Sequence, residues 1–223
     1  MGRRIGGAGG GSDKGTSSNV VVGTVAAIAI ASAGGGVGAG VGAVSGSSSG
    51  TVAESVAGRN IAAKKANGKK SASRGKADEA WERMGMRGVR KKVQRNLPCV
   101  VNSFGQVREF FLRTPCKALD RALFAVDDGR GDLVVVSVAW VSFRTRAAAE
   151  RFKDLDDTYG TGNITPLGGA LLGLADVRFT GQHYQSRRAG TMIVIAEAEP
   201  LDGTQEDIVL DTVAEVAMLL PRL

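Results

Sequence analysis

Residues 133–141 read LVVVSVAWV, eight apolar side chains around a single Ser137. A run this short and this continuous suits the central strand of a sheet, not one with a wet face. Just before it, residues 127–132 (DDGRGD) are turn chemistry, and residues 119–126 alternate well enough to form the partner strand of a hairpin. Arg130-Gly131-Asp132, an adhesion tripeptide in other contexts, is read here as part of that turn. After the run, Thr145 opens a helix over 146–158 that buries Ala149, Phe152 and Leu155.

The same order then recurs. Residues 176–185, the turn SRRAG and residues 191–199 read as a second hairpin. Thr204 caps a final helix with an apolar stripe of Val209, Val213, Val216 and Leu220. Asp207, Asp211 and Glu215, spaced by four, form its opposite, solvated face. Upstream, Ser103 and Gln106 have the spacing of a capping box for a helix over 104–113. That helix buries Val107, Phe110 and Phe111 and stops at Thr114-Pro115. The fold class expected is therefore α+β: an antiparallel sheet of four or five strands from two β-hairpin-helix units, preceded by a short helix, with the helices on one face. Residues 97–101 are the candidate extra strand.

Charge divides the 223 residues into three zones. Residues 1–58 hold three basic and two acidic groups, residues 59–95 hold thirteen and three, and residues 96–223 hold thirteen and seventeen. The net charge of +7 thus comes from the middle zone and says nothing of the domain. The expected organisation is a flexible Gly/Ser-rich head over 1–19, an apolar segment over 20–44, a basic linker over 45–95 and an α+β domain over 96–223. Residues 59–76 have the composition of a disordered chain. Residues 77–94 place Trp81, Met84, Met86, Val89 and Val93 partly on one helical face, which predicts a basic amphipathic helix.

Residues 20–44 decide the compartment. Their Val, Ile and Ala content is long enough to span a bilayer as a single transmembrane helix or signal-anchor. The dense part, 20–31, followed by Ala31-Ser32-Ala33, equally fits a signal peptide cleaved after Ala33, and the seven glycines leave a disordered linker as the third reading. The Arg-, Ala-, Gly- and Val-rich composition suits a bacterial chain. A membrane-tethered or exported domain is the leading expectation, with the domain extracytoplasmic and with secretion as the runner-up. Lys64, Lys65, Lys69 and Lys70 would meet anionic lipid. The alternative is a cytoplasmic binder of nucleic acid or another polyanion through a basic arm over 59–95, its acidic domain contacting a protein partner.

Few chemistries have the residues they need. One histidine and two cysteines leave no zinc set and no C-x-x-C, so no metal and no cofactor are expected. Cys99 and Cys116 flank the helix over 104–113 and can pair only if the chain doubles back near Asn102. G-x-S-x-G at 46–50 and G-x-G-x-x-A at 38–43 lie in low-complexity sequence without the strand, turn and helix that those motifs require. Asn163-Ile164-Thr165 matches a glycosylation acceptor, which is discounted in a bacterial chain. The best candidate contact element is the Gly-rich loop 159–175, with Gly160, Gly162 and Asn163, whose Ile164, Leu167, Leu171, Leu172 and Leu174 would dock part of it on the core. His183, read as a strand residue, stands near Tyr184, Arg187 and Arg188 and is the only candidate general acid or base, the basis of a third reading as an enzyme.

Overall fold

The computed structural model describes residues 49–174, 177–201 and 205–223, with side chains from Asn60 onward. Five antiparallel strands form one sheet: β1 (Arg87–Leu97), β2 (Ala118–Asp127), β3 (Leu133–Ser142), β4 (Tyr184–Ala189) and β5 (Met192–Pro200), in the order β1-β2-β3-β5-β4. Five α-helices accompany it: α1 (Ser49–Ala72), α2 (Ala77–Arg83), α3 (Gly105–Arg113), α4 (Arg146–Asp156) and α5 (Asp207–Ala217). The apolar run at 133–141 is the middle strand, paired with β2 on one side and β5 on the other. The α+β class and both hairpin-helix units are as the sequence predicts, with the short α3 ahead of the first hairpin.

Helices cover both faces of the sheet, which corrects the one-face arrangement. Val134, Val136, Val138 and Trp140 of β3 pack with Phe124, Val194, Trp81 of α2 and Val213 and Val216 of α5. Ala139 and Val141, on the opposite face, pack with Val107 and Phe111 of α3 and Phe152 of α4. Phe110, Phe111, Phe143 and Phe152 form one aromatic cluster there, with centroids 5.2 to 6.2 Å apart. A strand apolar at nearly every position must be covered twice, because either face left in water would expose about 25 cal/mol of unfavourable transfer per Å². Trp140 fits because its indole N–H donates to Leu220 O at 2.9 Å.

The largest departure is at residues 59–95, which are neither a disordered linker nor one long helix. Regular structure begins well before 96, with α1 at Ser49–Ala72 packed on α2 and α5. Residues 59–72 continue α1, and residues 77–94 divide into α2 and an edge strand, β1. The fifth strand is thus β1, while 97–101 runs from its end into a 3-10 turn at Val100–Asn102. Helix α1 packs through small residues: Ala72 is fully buried, and a Cβ on Gly68 would lie 2.9 Å from Met84 Cγ. Lys65 and Lys69 both reach Glu215 of α5, each at 2.5 Å. Of the acidic face expected on α5, Glu215 is therefore a docking point for α1, while Asp207 stays 91% exposed.

Smaller corrections follow from hydrogen bonding. The capping box at Ser103 and Gln106 does not form: Ser103 Oγ donates to Cys99 O at 2.9 Å, and the Gln106 amide donates to Thr161 O at 2.6 Å. In the second hairpin, residues read as the turn SRRAG extend β4 through Ala189, and the chain turns at Gly190, whose φ is +67°. Thr145 does cap α4, accepting from the Ala148 amide at 3.2 Å. Thr204 lies outside the described residues, as do 1–48 with the head and the apolar segment. Among the described residues, no helix is long and apolar enough to cross a membrane.

Candidate functional site

On the face of α3 and α4, strand alternation places Ile193, Ile195, Glu197 and Glu199 of β5 side by side with Tyr184 of β4. Two of those four β5 residues are acids, although both are nearly fully buried. The Gly-rich loop after α4 closes over this part of the sheet. It is held by a strip of backbone pairing to residues 102–106: Phe104 N to Asn163 O at 3.1 Å, Thr165 N to Asn102 O at 2.9 Å, and a bridge between Ser103 and Ile164. Gly105 and Gly162 make that approach possible. Their φ angles are +61° and +104°, and a Cβ on Gly162 would run into Phe104 O. Ile164, Leu167 and Leu172 are buried beneath the loop.

Between the loop, the end of α4 and the β4–β5 hairpin lies a cavity of about 540 Å³, within the range of small-molecule sites. Phe104, Tyr159, Leu167 and Phe179 give it apolar walls, and Asp156, Asp157, Tyr184 and Glu197 give it polar groups. None of the described residues lining it is Lys, Arg or His. The Tyr184 hydroxyl donates toward Asp156 Oδ2 at 2.7 Å, with Asp157 Oδ1 at 3.0 Å. Asp156 Oδ1 is buried and has no hydrogen-bond partner. The amide of Gly181 donates to Glu197 Oε1, and Thr180 donates to Glu199 Oε1 through its amide at 2.7 Å and its hydroxyl at 2.6 Å.

Electrostatics separates these acids. Burial pushes Asp156 up to about 7, aided by the charges of Asp157 and Glu197 and opposed by the Tyr184 hydrogen bond. Its position at the C-terminal end of α4, where the helix dipole is negative, acts in the same direction as burial. Burial likewise pushes Glu197 up to about 7, with Glu199 adding to the rise and the Gly181 amide opposing it. Burial also works to raise Asp157, but hydrogen bonds from Lys153, Ser186 and Tyr184 outweigh it and hold that carboxyl below its ordinary value. Tyr184, buried beside two carboxylates, is shifted far up and stays a phenol. The site thus presents one ionised acid and two that titrate near neutrality.

The residues singled out in the sequence fall into two groups. Gly160, Gly162, Asn163 and Tyr184 line the cavity. His183, Arg187 and Arg188 do not. His183 lies in the turn before β4, not on a strand, with Nδ1 2.9 Å from Asp211 Oδ1 and Nε2 3.7 Å from Asp207 Oδ1. Arg187 donates to Met218 O at 2.5 Å and so caps carbonyls at the end of α5. Arg188 reaches Gly190 O at 3.3 Å and Glu150 at 3.7 Å. Sequence reading missed Asp156 and Glu197. A signal for the second was present: Glu197 and Glu199 lie two apart in the apolar strand MIVIAEAEP, and so share one face.

Cys99 and Cys116 are joined in a disulfide, their Cα atoms 6.3 Å apart. The 3-10 turn at Val100–Asn102 reverses the chain and brings the ends of the α3 segment together. Among the described residues, no group of three or more His, Cys, Asp or Glu side chains is placed to hold a metal ion. The basic groups of 59–95 are largely engaged within the fold. Lys65 and Lys69 meet Glu215, Lys76 meets Glu79 at 2.9 Å, Arg87 meets Asp127 at 3.5 Å, and Arg90 donates to Leu172 O. Comparison with protein-family models, curated proteins and solved structures finds no match to this chain.

Proposed function

We propose that the chain is an exported or membrane-tethered domain of a bacterial envelope that binds a small ligand in the cavity beneath its Gly-rich loop. The observation that carries this reading is the cavity itself, with its mixed apolar and acidic lining. The location rests on two supports: the apolar segment at 20–44, and the Cys99–Cys116 bridge, a linkage that persists in oxidising compartments. A binding role is favoured over the His183 enzyme because His183 is turned toward Asp207 and Asp211 and does not line the cavity.

The test expresses the full chain in a bacterial host and separates membrane, periplasmic and cytosolic fractions. The N-terminus, the intact mass and the thiol state are then determined. Oxidised protein in the membrane or periplasmic fraction is expected. Full-length protein with two free thiols in the cytosol overturns the location. A chemically mixed fragment library, read through the amide resonances of residues 159–168, tests the binding role. Shifts at those amides are expected, and a library that moves none of them overturns it.

A further inference from the structure

We propose that the cavity takes an organic ammonium ligand, its cationic head between Asp156 and Glu197 and its apolar body against Phe104, Tyr159 and Phe179. This rests on the reading of the cavity as a binding site and names the ligand class. Three independent observations converge on it.

The first is sign. Among the described residues, three carboxyl groups line the cavity, and no lining residue is Lys, Arg or His. Asp157 already has Lys153 as its partner, whereas Asp156 and Glu197 have no basic side chain bonded to them. An anionic ligand therefore meets net repulsion there, and a cation supplies the charge they lack.

The second is an unsatisfied bonding position. Asp156 is 6% exposed, and its Oδ2 is the oxygen nearer the Tyr184 hydroxyl, at 2.7 Å, while Oδ1 has no partner. Buried polar oxygens nearly always have a donor, so this one calls for a donor from outside the chain. An ammonium brings several N–H groups and a positive charge at once, and charge-assisted hydrogen bonds are the strong ones.

The third is the wall. Phe104 is 50% exposed and Tyr159 84% exposed, and both border the cavity. Aromatic faces near a cation hold it through the ring quadrupole and also bury its hydrocarbon stem. A small inorganic cation would leave those faces unused. An arylalkyl or alkyl amine uses both the acids and the rings.

Binding then has a proton signature. The folded protein holds Asp156 and Glu197 partly protonated near neutrality, and an ammonium between them favours the ionised form of both. Ligand capture releases protons to solvent.

The experiment titrates the full chain at neutral pH by calorimetry, in two buffers of different ionisation enthalpy. Three probes of similar shape are used: phenethylamine, phenethyl alcohol and hydrocinnamate. The amine is expected to bind most tightly, with a heat that differs between buffers in the sense of proton release. Asp156→Asn and Glu197→Gln are each expected to weaken the amine roughly tenfold to hundredfold, as loss of a charged hydrogen-bond partner does, and to shrink the buffer dependence. Circular dichroism checks that each variant is folded. Because the wild-type probe ranking is itself decisive, a variant that fails to fold does not protect the proposal.

If the alcohol or the carboxylate binds as well as the amine, the ammonium assignment is overturned and the binding role stands. Amine binding unchanged in both folded variants also overturns it. If none of the three binds while library fragments still move the loop amides, the assignment falls and the binding role remains. If those amides move with nothing, both fall together.

Discussion

The two faces of β5 are built from adjacent residues and do opposite things. Val194, Ala196 and Ala198 point into a dry layer closed by α2 and α5, in which Trp81 and Trp140 are fully or nearly fully buried. Ile193 and Ile195 begin the other face in the same way, but Glu197 and Glu199 finish it, next to a cavity. A sheet can therefore be stabilised by one face and left unfinished on the other. The dry layer supplies the burial that lets the second face carry two acids that are costly to bury.

That contrast can be broken or sharpened by substitution. The largest effect is expected in the dry layer. Trp140→Ala should lower unfolding free energy by about 3 to 5 kcal/mol, since it removes a large buried ring and orphans Leu220 O. Denaturant titration checks it. Next comes the brace on the other face: reducing Cys99–Cys116, or replacing both with Ser, should cost about 3 kcal/mol for a loop of this length. The same titration with and without reductant measures it.

Gly162→Ala should cost about 1 to 3 kcal/mol, because it forces a Cβ toward Phe104 O at a positive φ. It should also free the cavity loop, so limited proteolysis within 159–168 is expected to accelerate. If the loop stays protected, the Gly105–Gly162 approach is not what holds it.

The two faces should also differ in pH response. Asp156 and Glu197 sit at about 7 when folded, against about 4 in the unfolded chain. Over that interval the folded state holds protons that the unfolded state has lost, so stability declines as pH rises from about 4 to about 7 and then levels. Asp120, Asp157 and Glu215, all held below their ordinary values, act in the opposite sense and at lower pH. Asp156→Asn with Glu197→Gln should flatten the decline, as read from thermal unfolding across the interval. The smallest effect is expected at the partly exposed Lys65–Glu215–Lys69 cluster, where Glu215→Gln should cost less than about 1 kcal/mol. Faster amide exchange in α1 would register it.

The central part of the fold was legible in the sequence because its residues are apolar at strand spacing. LVVVSVAWV had to be a middle strand, and Thr145 and the stripe Val213, Val216 and Leu220 located two helices. Residues 60–95 misled for definite reasons. Helix α1 buries Gly68 and Ala72 instead of large side chains, so its contact surface looks like linker composition. Strand β1 lies at a sheet edge and carries Arg87, Arg90, Lys91, Lys92 and Arg95, which suit an edge that must not pair further but hide the strand's alternation. The cavity loop was legible from its glycines and leucines together. Of the acids opposite it, Glu197 was half legible, since its spacing with Glu199 puts both on one face but only the pairing of β3 with β5 sets it beside Ser137 inside the fold. Asp156, at the end of α4, carried no such signal.

The contacts of α1 also bear on when the domain can become whole. Lys65 and Lys69 reach Glu215 across 150 and 146 residues of chain, a gap that takes about 8 to 30 s to synthesise at roughly 5 to 20 residues per second. Throughout that interval α1 has α2 to pack against but lacks α5, which with Trp81 and Trp140 closes the dry layer. Assembly is thus postponed until most of the chain has emerged. A domain in which α1 waits for α5 becomes whole only late, when nearly all of the sheet is already available to receive both helices.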